Sequence, residues 1–217
     1  MMRRAVLIAG IAGCFAQRVV AQTGSPVLAG EPEASAQIAK IFGATEQKGL
    51  PTGPILGMVG YGVMLHSPPT RIVAAVQNVA SRLEVARDAL APHPTMLDIE
   101  AGEKALSCKA SADELRAVRA VSANQPLAVP LAVLSQLIVS GVPAKRAAVI
   151  VIDVMKRGAS QTQLLALGNA VDSDVRNGTQ ALSALDIRTR GLNAVLAPPA
   201  AATAAQGLTT GSVPKKP

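Results

Sequence analysis

Residues 140–175 read SGVPAKRAAVIVIDVMKRGASQTQLLALGNAVDSDV. Gly141-Val142-Pro143 opens an apolar run that lasts to Met155, and Gly158-Ala159-Ser160 opens a second through Leu164, Leu167, Val171 and Val175. Moved back by 92 positions without a gap, residues 141–175 fall on residues 49–83. Gly49-Leu50-Pro51 then meets Gly141-Val142-Pro143, and His66-Ser67-Pro68 meets Gly158-Ala159-Ser160. Ile72, Val76, Val79 and Leu83 meet Leu164, Gly168, Val171 and Val175. A repeat of this kind is read before any local feature, because it sets the architecture. It predicts an all-α protein: a compact bundle of irregular helical hairpins with an internal duplication at about 49–83 and 141–175.

The composition agrees. Of 217 residues, 49% are hydrophobic, and Phe15, Phe42 and Tyr61 are the only aromatics. A core of Ala, Val, Leu and Ile suits closely packed helices better than sheets, which lean on aromatic and β-branched side chains.

Helical periodicity begins near Ala34, with Ile38, Ile41 and Phe42 on one face. Ile55–Leu65 is apolar on every side, which predicts a central buried helix. Its Gly57, Gly60 and Gly62 suggest close approach by a neighbouring backbone. Ser67-Pro68-Pro69 reads as a cap for the clearest helix, whose Ile72, Val76, Val79, Leu83, Ala86 and Leu90 make one seam of about six turns. Thr95 with Asp98, Ser111 with Glu114, and Ser160 with Gln163 have capping-box spacing. Pro130 can open a helix to Ser140, and a last short helix is expected near Ala181–Ile187. One turn signature recurs at Gly49, His66, Lys109, Gly141 and Gly158: leave a helix, supply a cap or first-turn residue, plant a core anchor one turn on.

Met1-Met2-Arg3-Arg4 followed by apolar Ala5–Ala16 has the form of an export signal, with cleavage expected between Ala21 and Gln22. Ile11-Ala12-Gly13-Cys14 offers a rival processing, in which Cys14 carries lipid and anchors the chain to a membrane leaflet. The expected organisation is a signal peptide at 1–21, a flexible linker at 22–33, a helical domain at 34–187, and a disordered Ala/Pro/Thr tail at 188–217. Without Arg3, Arg4 and Arg18 the chain keeps 18 basic against 14 acidic residues, a net of +4. No clustered basic stripe or stacking aromatics accompany that charge, so nucleic acid is not an expected partner.

The run from Gly49-Leu50-Pro51 through Gly62 to Pro68, Arg71-Ile72 and Ala75-Val76 resembles a group of uncharacterised, Ala-rich, all-helical exported bacterial proteins. Val129-Pro130-Leu131, Leu134 and Gly141-Val142-Pro143 extend the resemblance over about residues 48–176. It implies an all-helical protein of the cell envelope, periplasmic or secreted, with no known activity. Members carry charged residues in the second helix where this chain has Met58, Tyr61 and Leu65.

Chemical motifs are sparse. His66 and His93 sit in Pro-flanked turns without the convergent ligands that zinc needs. Cys108 lacks both a base to activate it and a disulfide partner outside the leader. Gly60-Tyr61-Gly62 lacks the third glycine and the preceding strand of a dinucleotide fingerprint. Asp172-Ser173-Asp174 is not followed by the glycine and distal glutamate of a calcium loop. Asn177-Gly178-Thr179 matches a glycosylation acceptor, which carries little weight behind a bacterial-type leader. The expectation is no enzyme, no cofactor and no metal. The partner is then an envelope protein met in an interaction or structural role. The alternative is an apolar ligand or lipid carried between the duplicated hairpins, with Met58, Val59, Met64, Ile150 and Met155 as the candidate surface.

Overall fold

A computed structural model describes residue 28, residues 30–122 and residues 125–196. Among these residues lie nine α-helices and no strand: α1 (Pro32–Gln47), α2 (Gly53–Met64), α3 (Pro69–Ala89), α4 (Met96–Ser107), α5 (Ala112–Val121), α6 (Ala128–Val139), α7 (Ala144–Lys156), α8 (Gln161–Arg176) and α9 (Ala181–Val195). The all-α, compact expectation holds. The leader with Cys14, the start of the 22–33 linker, and the tail from residue 197 fall outside the described residues.

Both ends of the helical domain differ from expectation. α1 starts at Pro32, inside the stretch read as linker, because proline is favoured in a first helical turn. α9 runs to Val195, eight residues past 187. Thr189 and Gly191 hide the periodicity there, but Leu192 packs on the core and Arg188 grips Asp174 on α8. Tertiary contacts hold that segment helical.

The turns follow one rule. Gly49, His66, Lys109, Gly141, Gly158 and Gly178 all take left-handed φ, from 51 to 95°. Each donates its N–H to the carbonyl three residues back, and the next residue donates to the carbonyl five back: Gly49 to Glu46 and Leu50 to Thr45, Gly141 to Ile138 and Val142 to Leu137. This pair of hydrogen bonds satisfies carbonyls that the helix leaves unpaired. Leu50, Ala110 and Val142, the residues after three of these turns, are buried and seal the helix ends. Thr95, Ser111 and Ser160 form full capping boxes with Asp98, Glu114 and Gln163, as their spacing predicts. Ser67 is not a cap. The N-cap of α3 is Pro68, and the Ser67 N–H instead donates to Gly62 in the turn closing α2. α6 begins two residues before Pro130, which the first turn tolerates because its missing N–H would be unpaired there.

The helices pack in two rows. α1, α3, α5 and α7 follow one another in the first row, which α9 continues more loosely, and α4, α6 and α8 form the second. The rows are tied by α3 on α4, α6 on α7 and α8 on α9, while α2 lies on α3. Like α6 in the second row, α3 is widely connected, touching α1, α2, α4 and α5. Its Ile72, Val76, Val79, Leu83 and Ala86 are all buried, so the seam read from the sequence is the core. The duplication persists in turn geometry and in buried anchors such as Leu164 and Val171, but not in neighbours. α2 packs directly on α3, whereas the corresponding α7 and α8 scarcely touch, α7 reaching α5 and α6 and α8 reaching α6 and α9. α2 sits at an end of the assembly; α7 sits within it.

Polar side chains clamp these contacts. Asp98 is 3% exposed. One carboxylate oxygen accepts from Thr95 N–H at 3.1 Å, and the other accepts from Leu127 N–H at 2.7 Å. One side chain thereby fixes the start of α4 and the residue capping α6. Arg82 on α3 donates to Glu103 on α4 at 2.8 Å, in a pair largely withdrawn from solvent. Arg188 reaches Asp174 through two nitrogens, each at 2.6 Å. These hydrogen bonds hold the Asp174 carboxyl below its ordinary value; desolvation opposes the shift and the guanidinium charge adds to it.

Candidate interaction surface

α2 is the helix whose surroundings depart furthest from its sequence. Ile55, Val59 and Gly62, spaced four and three apart, face inward. A Cβ on Gly62 would lie 2.7 Å from Cγ1 of Ile72, so this glycine lets α2 settle onto α3. The remaining arc is open. Leu56, Tyr61, Val63, Met64 and Leu65 are exposed large apolar residues, Tyr61 at 55% and Met64 at 64%. The expectation of a central buried helix is therefore corrected: α2 is half-buried at the edge, because α3 covers one side and no further helix among the described residues packs closely on the other.

Gly57 and Gly60 lie on that open arc, and a Cβ built on either meets nothing within 4 Å. Among the described residues, the close approach predicted for three glycines is thus made by Gly62 alone. At 100° per residue Gly57 and Gly60 run down the middle of the outer face, with Leu56 and Val63 on one flank and Tyr61 and Leu65 on the other. Each glycine costs a helix about 1 kcal/mol relative to alanine. No contact among the described residues offsets that.

From Gly53 to Met64 the helix has no charged side chain. Beyond the Tyr61 flank lies a groove of about 350 Å³ floored by Val79 and walled by Glu100 and Lys104 of α4. Arg82 and Glu103, also lining it, are paired with each other; Glu100 and Lys104 form no ion pair among the described residues. The surface is therefore uncharged at its centre, with one acid and one base along one edge. Its chemistry is burial of apolar area against another surface, at roughly 25 cal/mol per Å² removed from water.

The five residues expected to line one apolar surface are dispersed. Met58 is half-buried in the α2–α4 groove, Val59 is buried, and Met64 is exposed. Ile150 is buried beside a groove between α7 and α9. Met155 borders a cleft of about 630 Å³ where α5, α6, α7 and α8 meet. Met58, Ile150 and Met155 line three separate openings, since α2 and α7 do not pack as the repeat suggested. The α7–α9 groove is crossed by the ion pair Arg146–Asp186, and Thr189 Oγ1 and Asn193 Oδ1 behind it are buried without a partner among the described residues. His66 and His93 are exposed in left-handed turns, and Cys108 is half-buried and forms no disulfide among the described residues. Among the described residues no three His, Cys, Asp or Glu side chains converge as metal ligands, and no helix is long and apolar enough to cross a membrane.

Leu56 and Val63 were not singled out by sequence reasoning, and Leu65 was noted only as a departure from the charged second helix of the resembled group. Their signal was present in the uncharged segment, where it reads equally well as burial. Comparison with protein-family models, with curated proteins and with solved structures finds no match to this chain.

Proposed function

We propose that this protein is an exported, non-enzymatic interaction module of the bacterial cell envelope, and that it docks a protein partner through the outer face of α2. One observation carries this reading: a charge-free helix exposes Leu56, Tyr61, Val63 and Met64 around two glycines whose space nothing among the described residues fills. Contiguous apolar surface of this kind marks contact sites in soluble domains. The cationic start and apolar run at residues 1–16 support export, with Ala21–Gln22 as the expected cleavage point.

The test is a photo-crosslinking amino acid placed at Val63, with the same group at exposed Asp113 on α5 as control. A discrete adduct at position 63 in cells, absent at 113, is the expected result. No adduct at 63 overturns the reading. Mass spectrometry of the protein's N-terminus checks export: it begins at Gln22, whereas a lipid-modified Cys14 would replace that cleavage with the anchored form.

A further inference from the structure

We infer that the partner on α2 is the α2 face of a second copy of this chain, forming a two-fold dimer; the inference rests on the docking reading above. A surface that meets itself must tolerate its own charges. The outer face of α2 satisfies this trivially, because no charged side chain interrupts it. Its edge satisfies it specifically. Glu100 and Lys104 stand one helical turn apart on α4, opposite in sign and without ion-pair partners among the described residues. Place two α2 helices face to face and antiparallel, with the two-fold axis in the contact plane and across the helices. The α4 edges of both copies then fall on the same side and run in opposite order. Each Glu100 meets the second copy's Lys104, and the pairing occurs twice, as an isologous interface requires.

The glycines fit the same arrangement. Gly57 and Gly60 leave open space along the middle of the face, flanked by Leu56 and Val63 on one side and Tyr61 on the other. An opposing helix backbone can sit close there, with the flanking side chains closing around it. A lipid leaflet would instead be met by a helix whose edge carried excess positive charge; here that edge has one acid and one base.

Sedimentation of the purified protein across a concentration series tests this. The wild type is expected to show a monomer–dimer equilibrium. Met64→Glu, at an exposed position, is expected to be monomeric with unchanged circular dichroism and unfolding transition. Glu100→Lys should weaken the dimer about tenfold or more, as loss of paired charges does, and Glu100→Lys combined with Lys104→Glu should restore it. A dimer indifferent to Met64→Glu or to the charge exchange overturns the inference. So does a wild type that stays monomeric throughout. A monomer that still gives the position-63 adduct leaves the docking reading standing with a different partner, and a monomer without it removes both.

Discussion

Gly57, Gly60 and Gly62 lie within six residues of one helix and answer to different demands. Gly62 faces Ile72 so closely that an added methyl must displace a buried side chain. Gly62→Ala should destabilise the protein by about 1–3 kcal/mol, the usual cost of overpacking. Gly57→Ala and Gly60→Ala, measured on dilute monomer, should each stabilise it by about 0.5–1 kcal/mol, because only helix propensity changes. Urea unfolding of the three variants gives the comparison, and stabilisation by all three would mean that α2 does not seat on α3. The same logic applies in the core. Leu83 is fully buried, Ser81 is exposed, and Glu84 makes a surface pair with Lys48 at 2.6 Å. Leu83→Ala should cost about 2–5 kcal/mol, Ser81→Ala under about 0.5 kcal/mol, and Glu84→Ala no more than about 1 kcal/mol.

Helix ends were the most legible elements. Glycine before a small or apolar residue and then proline or serine predicts a left-handed stop and a fresh start, and at Gly49, Gly141 and Gly158 the chain does this. His66 and Lys109 occupy the same conformation with a side chain attached, at φ 51 and 76°. Lys109→Gly should therefore stabilise the protein by about 0.5–1 kcal/mol, read as a higher denaturation midpoint, since glycine meets no Cβ penalty there. What the sequence could not reveal was which side of a uniformly apolar helix would be covered. For α3 the polar Gln77, Asn78 and Ser81 mark the outer side. For α2 no residue breaks the symmetry, so burial depends on how many neighbours arrive. The five-residue apolar surface failed to assemble for a related reason: matching turns at Gly49 and Gly141 do not fix which helix packs next. Nor does local pattern show that α9 persists beyond Ile187, because its anchor, Asp174, lies on another helix.

At the level of the whole molecule, acid should loosen the α8–α9 end. The Asp174 carboxyl is held below its ordinary value by Arg188, so this contribution to stability is present above the unfolded-state value near 3.8 and is lost as pH falls through the lower folded-state value. Amide hydrogen exchange followed from pH 5 downward should show α9 losing protection before α3, and Asp174→Asn should abolish the difference in onset. Equal onset in the wild type would show that the Arg188 grip does not anchor that end.

The two-row packing has a consequence for how such a chain comes into being. α4 and α5, like α7 and α8, are consecutive yet scarcely touch; α4 closes on α6, α5 on α7 and α6 on α8. A newly emerging helix therefore often finds its permanent neighbour only after the intervening one has also appeared. If the polypeptide is threaded end-first across a membrane, α4 can settle on α3 but keeps its α6-facing side open until residues 128–139 arrive, and α6 keeps its α8-facing side open until residues 161–176 follow. Growth proceeds as a staggered seam. At every moment of emergence the unfinished end, rather than the finished body, is where a holding chaperone would find its grip.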